Sequence, residues 1–453
     1  MAHDLRKTPM ECVLTWEQHR KLSKFFAPVD ESEPDPYLDP KDRYSLSNYE
    51  FGIRLLESKE ALHGDYFETV IPKDSGFWQY PLDYIPDGLV GFFSKLSGAG
   101  IRRVDILEPS QLCSKTAKEI AKFKGPVKID APQVSLSKEA AEELGRHQGS
   151  LTLLITDLCN ETAKGLSSHR GGLNLPELKS IDEGIAYNLA QTEGNLYIGI
   201  DSLCAKAARG LGKHHGNLGL KLGVLDTGAS QALSMHPGHL EVCIGSITTE
   251  DARGLANHKG VLTLSGLHNL NEEAALFLSR SDGDLLIWSE EFSLDALKGL
   301  ARHKGTLGLF SSGDLKCGYA EVLSQHEGNL IVSERQLSIK DAQKLATHKG
   351  GLSLPWLRHL SQDTANYLAQ TEGELRIRLD DSLSEGAAKS LSNHKGKLTL
   401  RTGGKLGAKA AKHLARHKGQ LDLSGQYNFS ESALVYLQGH EDVIFPEDLT
   451  ETI

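Results

Sequence analysis

One hydrophobic pattern repeats along most of the chain. Its unit is H-x-G-x-L-x-L, as in His258-Lys259-Gly260-Val261-Leu262-Thr263-Leu264. The glycine recurs at Gly149, Gly171, Gly194, Gly216, Gly238, Gly260, Gly283, Gly305, Gly328, Gly350, Gly373, Gly396 and Gly419, in steps of 22 or 23 residues. Gly125 stands 24 residues before the first, and His440-Glu441-Asp442-Val443 is a degenerate last copy. The two leucines alternate with other residues, which predicts a short strand with one buried face. A loop with one or two further apolar residues follows, such as Leu267 and Leu270. Then comes a polar starter and an alanine-rich run, Asn271 to Leu278, spaced as a short amphipathic helix with Asn271 as its N-cap. The next glycine is expected to end that helix in the left-handed conformation, which glycine adopts without steric cost.

A strand-loop-helix unit of this size cannot bury its own apolar face, so copies must stack. Stacking predicts parallel strands on one side and helices on the other. At about 4.8 Å per strand, about fifteen strands make a sheet on the order of 70 Å long. The pattern resembles leucine-rich repeats over roughly residues 101 to 450. Within that family it is nearest to the bacterial surface-antigen (BspA-like) subtype, whose L-x-L-P step is echoed at Leu173-Asn174-Leu175-Pro176 and Leu352-Ser353-Leu354-Pro355. The asparagine that usually follows the strand in that family is mostly missing; Leu267 holds its place in the Leu262–Leu264 copy. The resemblance implies an α/β solenoid of about fourteen to fifteen repeats and a role in recognition.

Three copies lack the histidine before the glycine: Thr192, Ser281 and Thr371 replace it, spaced 89 and 90 residues, or four units. Residues 187–194 read YNLAQTEG and residues 366–373 read NYLAQTEG. Growth of the array by duplicating blocks of four accounts for both.

Residues 1–100 break the pattern. They hold 15 of the 29 aromatics and 8 of the 15 prolines, with 11 Lys and Arg against 17 Asp and Glu. A helix is expected from Thr15, with Gln18 completing a capping box, through Phe25 or Phe26. The acidic, proline-rich run Asp30-Glu31-Ser32-Glu33-Pro34-Asp35-Pro36 reads as an exposed linker. A second helix is expected between Ser47 and Leu62, and a third from Gly88 to Leu96. The aromatic run from Phe77 to Tyr84 suits a small cap sealing the first repeat, or a separate small domain. The first strand is expected at Ile101–Ile106, and residues 429 to 453 form a second cap.

Composition narrows the functions. A formal net charge of −10 and a pI near 6.0 argue against nucleic acid as the main partner. No apolar run of eighteen residues occurs, so no membrane span is expected, and the first residues lack the apolar core of a signal peptide. Six scattered cysteines form no C-x-x-C pair, which reads as reduced, mostly buried thiols in a cytoplasmic protein. Phosphate-loop, nucleophile-elbow and zinc spacings are all missing, so neither catalytic residues nor a metal or cofactor is expected. Cys12 and His19 lie close in sequence without the marks of a catalytic dyad.

The histidine column, His147 to His440, invites two readings. One is a metal-binding or pH-sensing ladder. The other is a residue at the helix C-terminus that bonds the last carbonyls and suits the negative end of the helix dipole. The residues flanking the strand leucines point elsewhere. Most are small or polar, but Leu286, Trp288, Phe310 and Ile331 would form an exposed apolar patch on adjacent strands. Arg376, Arg378, Lys397 and Arg401 form a basic strip nearer the C-terminus, with Glu374, Asp380 and Asp381 close by. The expected function is a non-catalytic scaffold that takes a protein partner through the open sheet face. The alternative makes residues 1–100 an effector or enzymatic module that the array targets.

Overall fold

The computed structural model describes residues 112–447, apart from 133–134, 312–315 and 317, together with four earlier strands: Val13–Leu14, Tyr44–Ser45, Phe77–Pro81 and Arg103–Leu107. The three helices expected within the first hundred residues, the acidic linker, Cys12, His19 and Cys317 lie outside the described residues. So does the end of the chain from residue 448.

The repeat folds as its pattern dictates. Each L-x-L pair begins a strand, and both leucines point inward: Leu262 and Leu264 are fully buried, as are Leu285 and Ile287. Fifteen short helices follow among the described residues, fourteen of seven residues and one of five. All but one end on a leucine; the first ends on Ile120. Their alanines, such as Ala274 and Ala275, are fully buried and let neighbouring helices lie close. Asn271 caps its helix as expected, its side chain accepting from the Ala274 N–H at 2.7 Å. Ser137, Asp182, Ser293, Ser338, Ser361, Ser384 and Ser430 do the same at the equivalent position. Helices this short are marginal alone, so these caps and the burial of one face hold them.

Two compact units result, residues 1–199 and 200–453. In the first, Phe77–Pro81, Arg103–Leu107, Val127–Asp130, Leu151–Leu154 and Leu173–Leu175 pair in that order, all parallel. The aromatic run read as part of a cap is thus, over residues 77–81, a strand of the sheet. In the second, parallel pairing runs without a break from Leu218–Leu225 to Val443–Ile444.

The recurring glycine serves a different purpose from the one expected. None of the described column glycines has a positive φ; among the described glycines only Gly266, at 76°, and Gly318, at 88°, do. The residues that end the helices are right-handed, for example Ser279 and Ala301. The requirement is space between repeats. A Cβ on Gly260 would stand 2.6 Å from the carbonyl oxygen of Gly238, and one on Gly283 would overlap the carbonyl of Gly260. Successive turns therefore stack backbone on backbone, closer than any side chain allows.

The histidine ring lies beneath this stack. Its backbone N–H donates to the carbonyl of the helix-ending leucine, as from His258 to Leu255 at 2.9 Å. Its ring reaches the preceding repeat. His326 sets Nδ1 3.4 Å from the Ala301 carbonyl and Nε2 3.1 Å from the Gly305 carbonyl. His303 and His394 use the same helix-end carbonyl, and His417 the same glycine carbonyl. The rings stack face to face at 6.0 to 6.3 Å in the rows 147–169, 214–236–258, 303–326–348 and 394–417–440. The helix-end reading thus holds for the backbone N–H, which bonds the residue's own helix, and for the rings of His303, His326 and His394, which reach the neighbouring helix end. The rings of His147, His236, His258 and His348 have no hydrogen-bond partner at either nitrogen among the described residues. The part that needed a cation does not hold. Burial lowers the pKa of His147, His169, His236, His258, His303, His326, His348, His394 and His417 below the ordinary value. Burial first and a neighbouring ring second bring His169 and His236 to about 4.

Two predictions follow from this packing. Gly283→Ala forces a methyl into the Gly260 carbonyl and is expected to cost on the order of 1–3 kcal/mol, read as a lower midpoint in thermal unfolding. Gly407→Ser is its control: a Cβ there meets nothing within 4 Å, and the backbone already holds cap geometry, so stability should hold or rise slightly. The histidines supply the second. Their folded pKa lies below the unfolded value of about 6.5, so the neutral rings stabilise above that pH and the stability is lost as pH falls from about 6.5 towards about 4. The melting temperature should decline over that window, and a flat profile from pH 8 to pH 5.5 would contradict it.

Candidate functional site

Parallel pairing lines up equivalent residues across the open face of the second unit. One row runs Glu241, Thr263, Leu286, Gly308, Ile331, Ser353, Arg376, Thr399. Two residues further along the strands, Trp288 pairs with Phe310 and Arg378 with Arg401. The alternation that buries the leucines places all of these on the opposite face.

The apolar four do come together, but not as an evenly exposed patch. The rings of Trp288 and Phe310 stack at 3.8 Å, 8° from parallel. Trp356 meets Phe310 at 5.4 Å with a tilt of 53°. Phe310 is consequently buried, at 7% exposure, whereas Leu286, Trp288 and Ile331 are half-buried and Trp356 is the exposed member at 39%. Expectation had Phe310 in an exposed patch; it is instead the support between two tryptophans. Gly308 makes room for this. A Cβ there would press on Leu286 Cδ2 and stand 3.0 Å from Phe310 Cε2.

Trp356 escapes the L-x-L pattern because its strand slips. Leu352–Leu357 runs on past the usual leucine pair, and its register with Leu375–Leu379 shifts between Leu354 and Leu357. Leu357 is fully buried, so Trp356 faces outward one residue off the alternation. The signal lay in the extra leucine after Leu354-Pro355.

The basic strip divides into two pairs. Arg376 reaches Glu374 at 3.1 Å, and Lys397 lies 3.6 Å from Glu374 and 3.4 Å from Asp422. Partial burial alone would raise the Glu374 carboxyl, but Arg376, Lys397 and the Thr399 hydroxyl outweigh it and hold it below its usual value. Asp422 is held down the same way, against burial, by Ser424 and Lys397. Arg376 and Lys397 are therefore locally neutralised. Arg378 and Arg401 have no carboxylate within ion-pair distance among the described residues. Arg401 instead lies 5.5 Å from the centre of the Tyr427 ring.

The remaining candidates carry no constellation. Parallel histidine rings offer no point where several nitrogens converge, and no group of three metal-ligating side chains occurs among the described residues. Three cysteines differ from expectation: Cys113, Cys159 and Cys204 are exposed, because they fill the helix N-cap column, where a short side chain faces the helix start and water. The Thr116 and Thr162 hydroxyls, more than any other contact, lower the thiol pKa of Cys113 and Cys159 respectively. No helix of the described residues is long and apolar enough to cross a membrane.

Phe310→Ala should destabilise by about 3 kcal/mol, since it empties a buried aromatic site. Trp356→Ala, removing an exposed ring, should cost well under half of that. Unfolding in urea followed by circular dichroism compares them, and equal losses would deny Phe310 its supporting place.

No family model matches this sequence, and no curated protein does. Solved structures do. A leucine-rich-repeat protein of Leptospira interrogans aligns over 80% of this chain and 93% of its own at 16% identity and a TM-score of 0.37. An internalin from Listeria monocytogenes aligns over 74% and 89%, at 14% identity and a TM-score of 0.30. The Toll–Spatzle complex from Drosophila aligns over 78% and 48%, at 11% identity and a TM-score of 0.35. The surface-antigen subtype rests on the sequence period and the L-x-L-P step, and these neighbours do not confirm it. The fold assignment stands on this chain's own registers: leucine-paired strands alternating with short helices stack in parallel every 22 or 23 residues, and that is the leucine-rich-repeat fold.

Proposed function

We propose that this chain is a non-catalytic scaffold that binds a protein partner on the open strand face of residues 200–453. Leucine-rich-repeat folds are commonly interaction scaffolds, and they use extended strand surfaces for it. The observation that carries the reading is the aromatic cluster. Trp288 and Trp356 flank the buried Phe310 on a face whose other flanking residues are mostly small or polar. Large aromatics held rigid by a stacked neighbour supply contact area with little loss of side-chain freedom, and tryptophan is enriched among residues that dominate binding energy. Leu286 and Ile331 border the cluster and widen the apolar floor.

Affinity capture with the full chain and with the W288A/W356A variant as parallel baits tests this. A partner retained by the first should be lost at least about tenfold from the second, the size expected when a central aromatic anchor goes. An unchanged set of captured proteins would remove the strand face from consideration.

A further inference from the structure

The proposed binding face carries a second, charged feature beside the aromatic one, and the two together define a chemistry. We infer that the partner is an acidic peptide segment, in which a carboxylate follows an aromatic or branched apolar side chain after a short gap. This rests on the strand-face reading and adds the partner's class.

The strand bearing Trp356 pairs directly with the strand bearing Arg378, which pairs in turn with the strand bearing Arg401. Adjacent strands are about 4.8 Å apart, so the strand of Trp356 lies about 5 Å from that of Arg378 and about 10 Å from that of Arg401, while Trp288, three strands further off, lies about 20 to 25 Å from them. Arg378 and Arg401 are directly opposite in register and both exposed. Like charges in that arrangement repel. Arg376 on the first of these strands and Lys397 just before the second show the alternative, because Glu374 and Asp422 neutralise them. The described residues leave the Arg378–Arg401 pair without such a carboxylate, so one from outside relieves the repulsion and can bond both guanidinium groups. An extended segment crossing the strands advances about 3.3 Å per residue. About two or three residues therefore separate the apolar side chain over Trp356 from the acidic one at the arginines.

Charge also separates a peptide from a nucleic acid. The chain's net charge is −10, and two uncompensated arginines are too few to hold a phosphate backbone against it. Recognition is local, and it is screened by salt only at the arginine end.

Selection of a random dodecapeptide library on the full chain tests the inference, with W288A/W356A and R378E/R401E as parallel baits checked for folding by circular dichroism. The enriched peptides should place Asp or Glu two or three residues from Trp, Phe, Tyr or Leu. The most enriched peptide, synthesised and labelled, should bind the full chain in fluorescence anisotropy and lose about tenfold or more on R378E/R401E. Enrichment without an acidic bias, equal binding to R378E/R401E, or tighter binding of a single-stranded oligonucleotide would each overturn the inference. Equal binding to R378E/R401E with loss on W288A/W356A would leave the strand-face reading standing and remove only the acidic partner. Binding unaffected by either double variant, or no enrichment at all, would remove both.

Discussion

The close approach of one glycine turn to the next sets the spacing of everything else. With no Cβ between them, successive turns meet carbonyl against Cα, and the strands that follow are brought to hydrogen-bonding distance in register. The leucine pairs then face inward at the same height in every repeat, and the alanines do the same on the helices. The histidine ring fills the space under the turn. Its Nε2 lies 2.9 to 3.1 Å from where the glycine's own Cβ would stand in most of the described copies, so the two residues shape each other. Glycine and histidine recur together because they occupy one joint.

Much of this could be read from the sequence, because a repeat multiplies a weak local signal. A single L-x-L says little, whereas thirteen at fixed steps establish strand, spacing and stacking. Asn271 was legible as a cap because side-chain capping depends on local geometry alone. The role of the glycine was not, since helix ends and tight inter-repeat contacts select the same residue for different reasons. Only contact between residues 22 apart separates them. The exposure of Cys113, Cys159 and Cys204 was missed for a similar cause: composition treats cysteine as buried, but position in the unit decides.

The binding face was legible in part. Alternation identified Trp288 and Phe310 as outward-pointing, and both do lie on that face. It could not say that one ring would bury the other, because stacking depends on two side chains from different repeats. Trp356 was hidden by a strand that runs past its pattern. The division of the basic strip into neutralised and free pairs depends on which carboxylates reach across strands, a matter of ångströms that no spacing rule carries.

The gaps in the histidine column have a consequence for how charge can spread. Rings stack in rows of two or three, and Thr192, Ser281 and Thr371 end the rows. Thr192 and Thr371 turn their hydroxyls back to their own helix-ending leucine carbonyls at 2.8 and 2.9 Å, so the joint stays satisfied without an imidazole. A proton forced onto one ring is repelled by the other rings of its row, as His236 is by His214 and His258. The threonines and the serine act as firebreaks, because without a titrating ring they interrupt that repulsion between one row and the next.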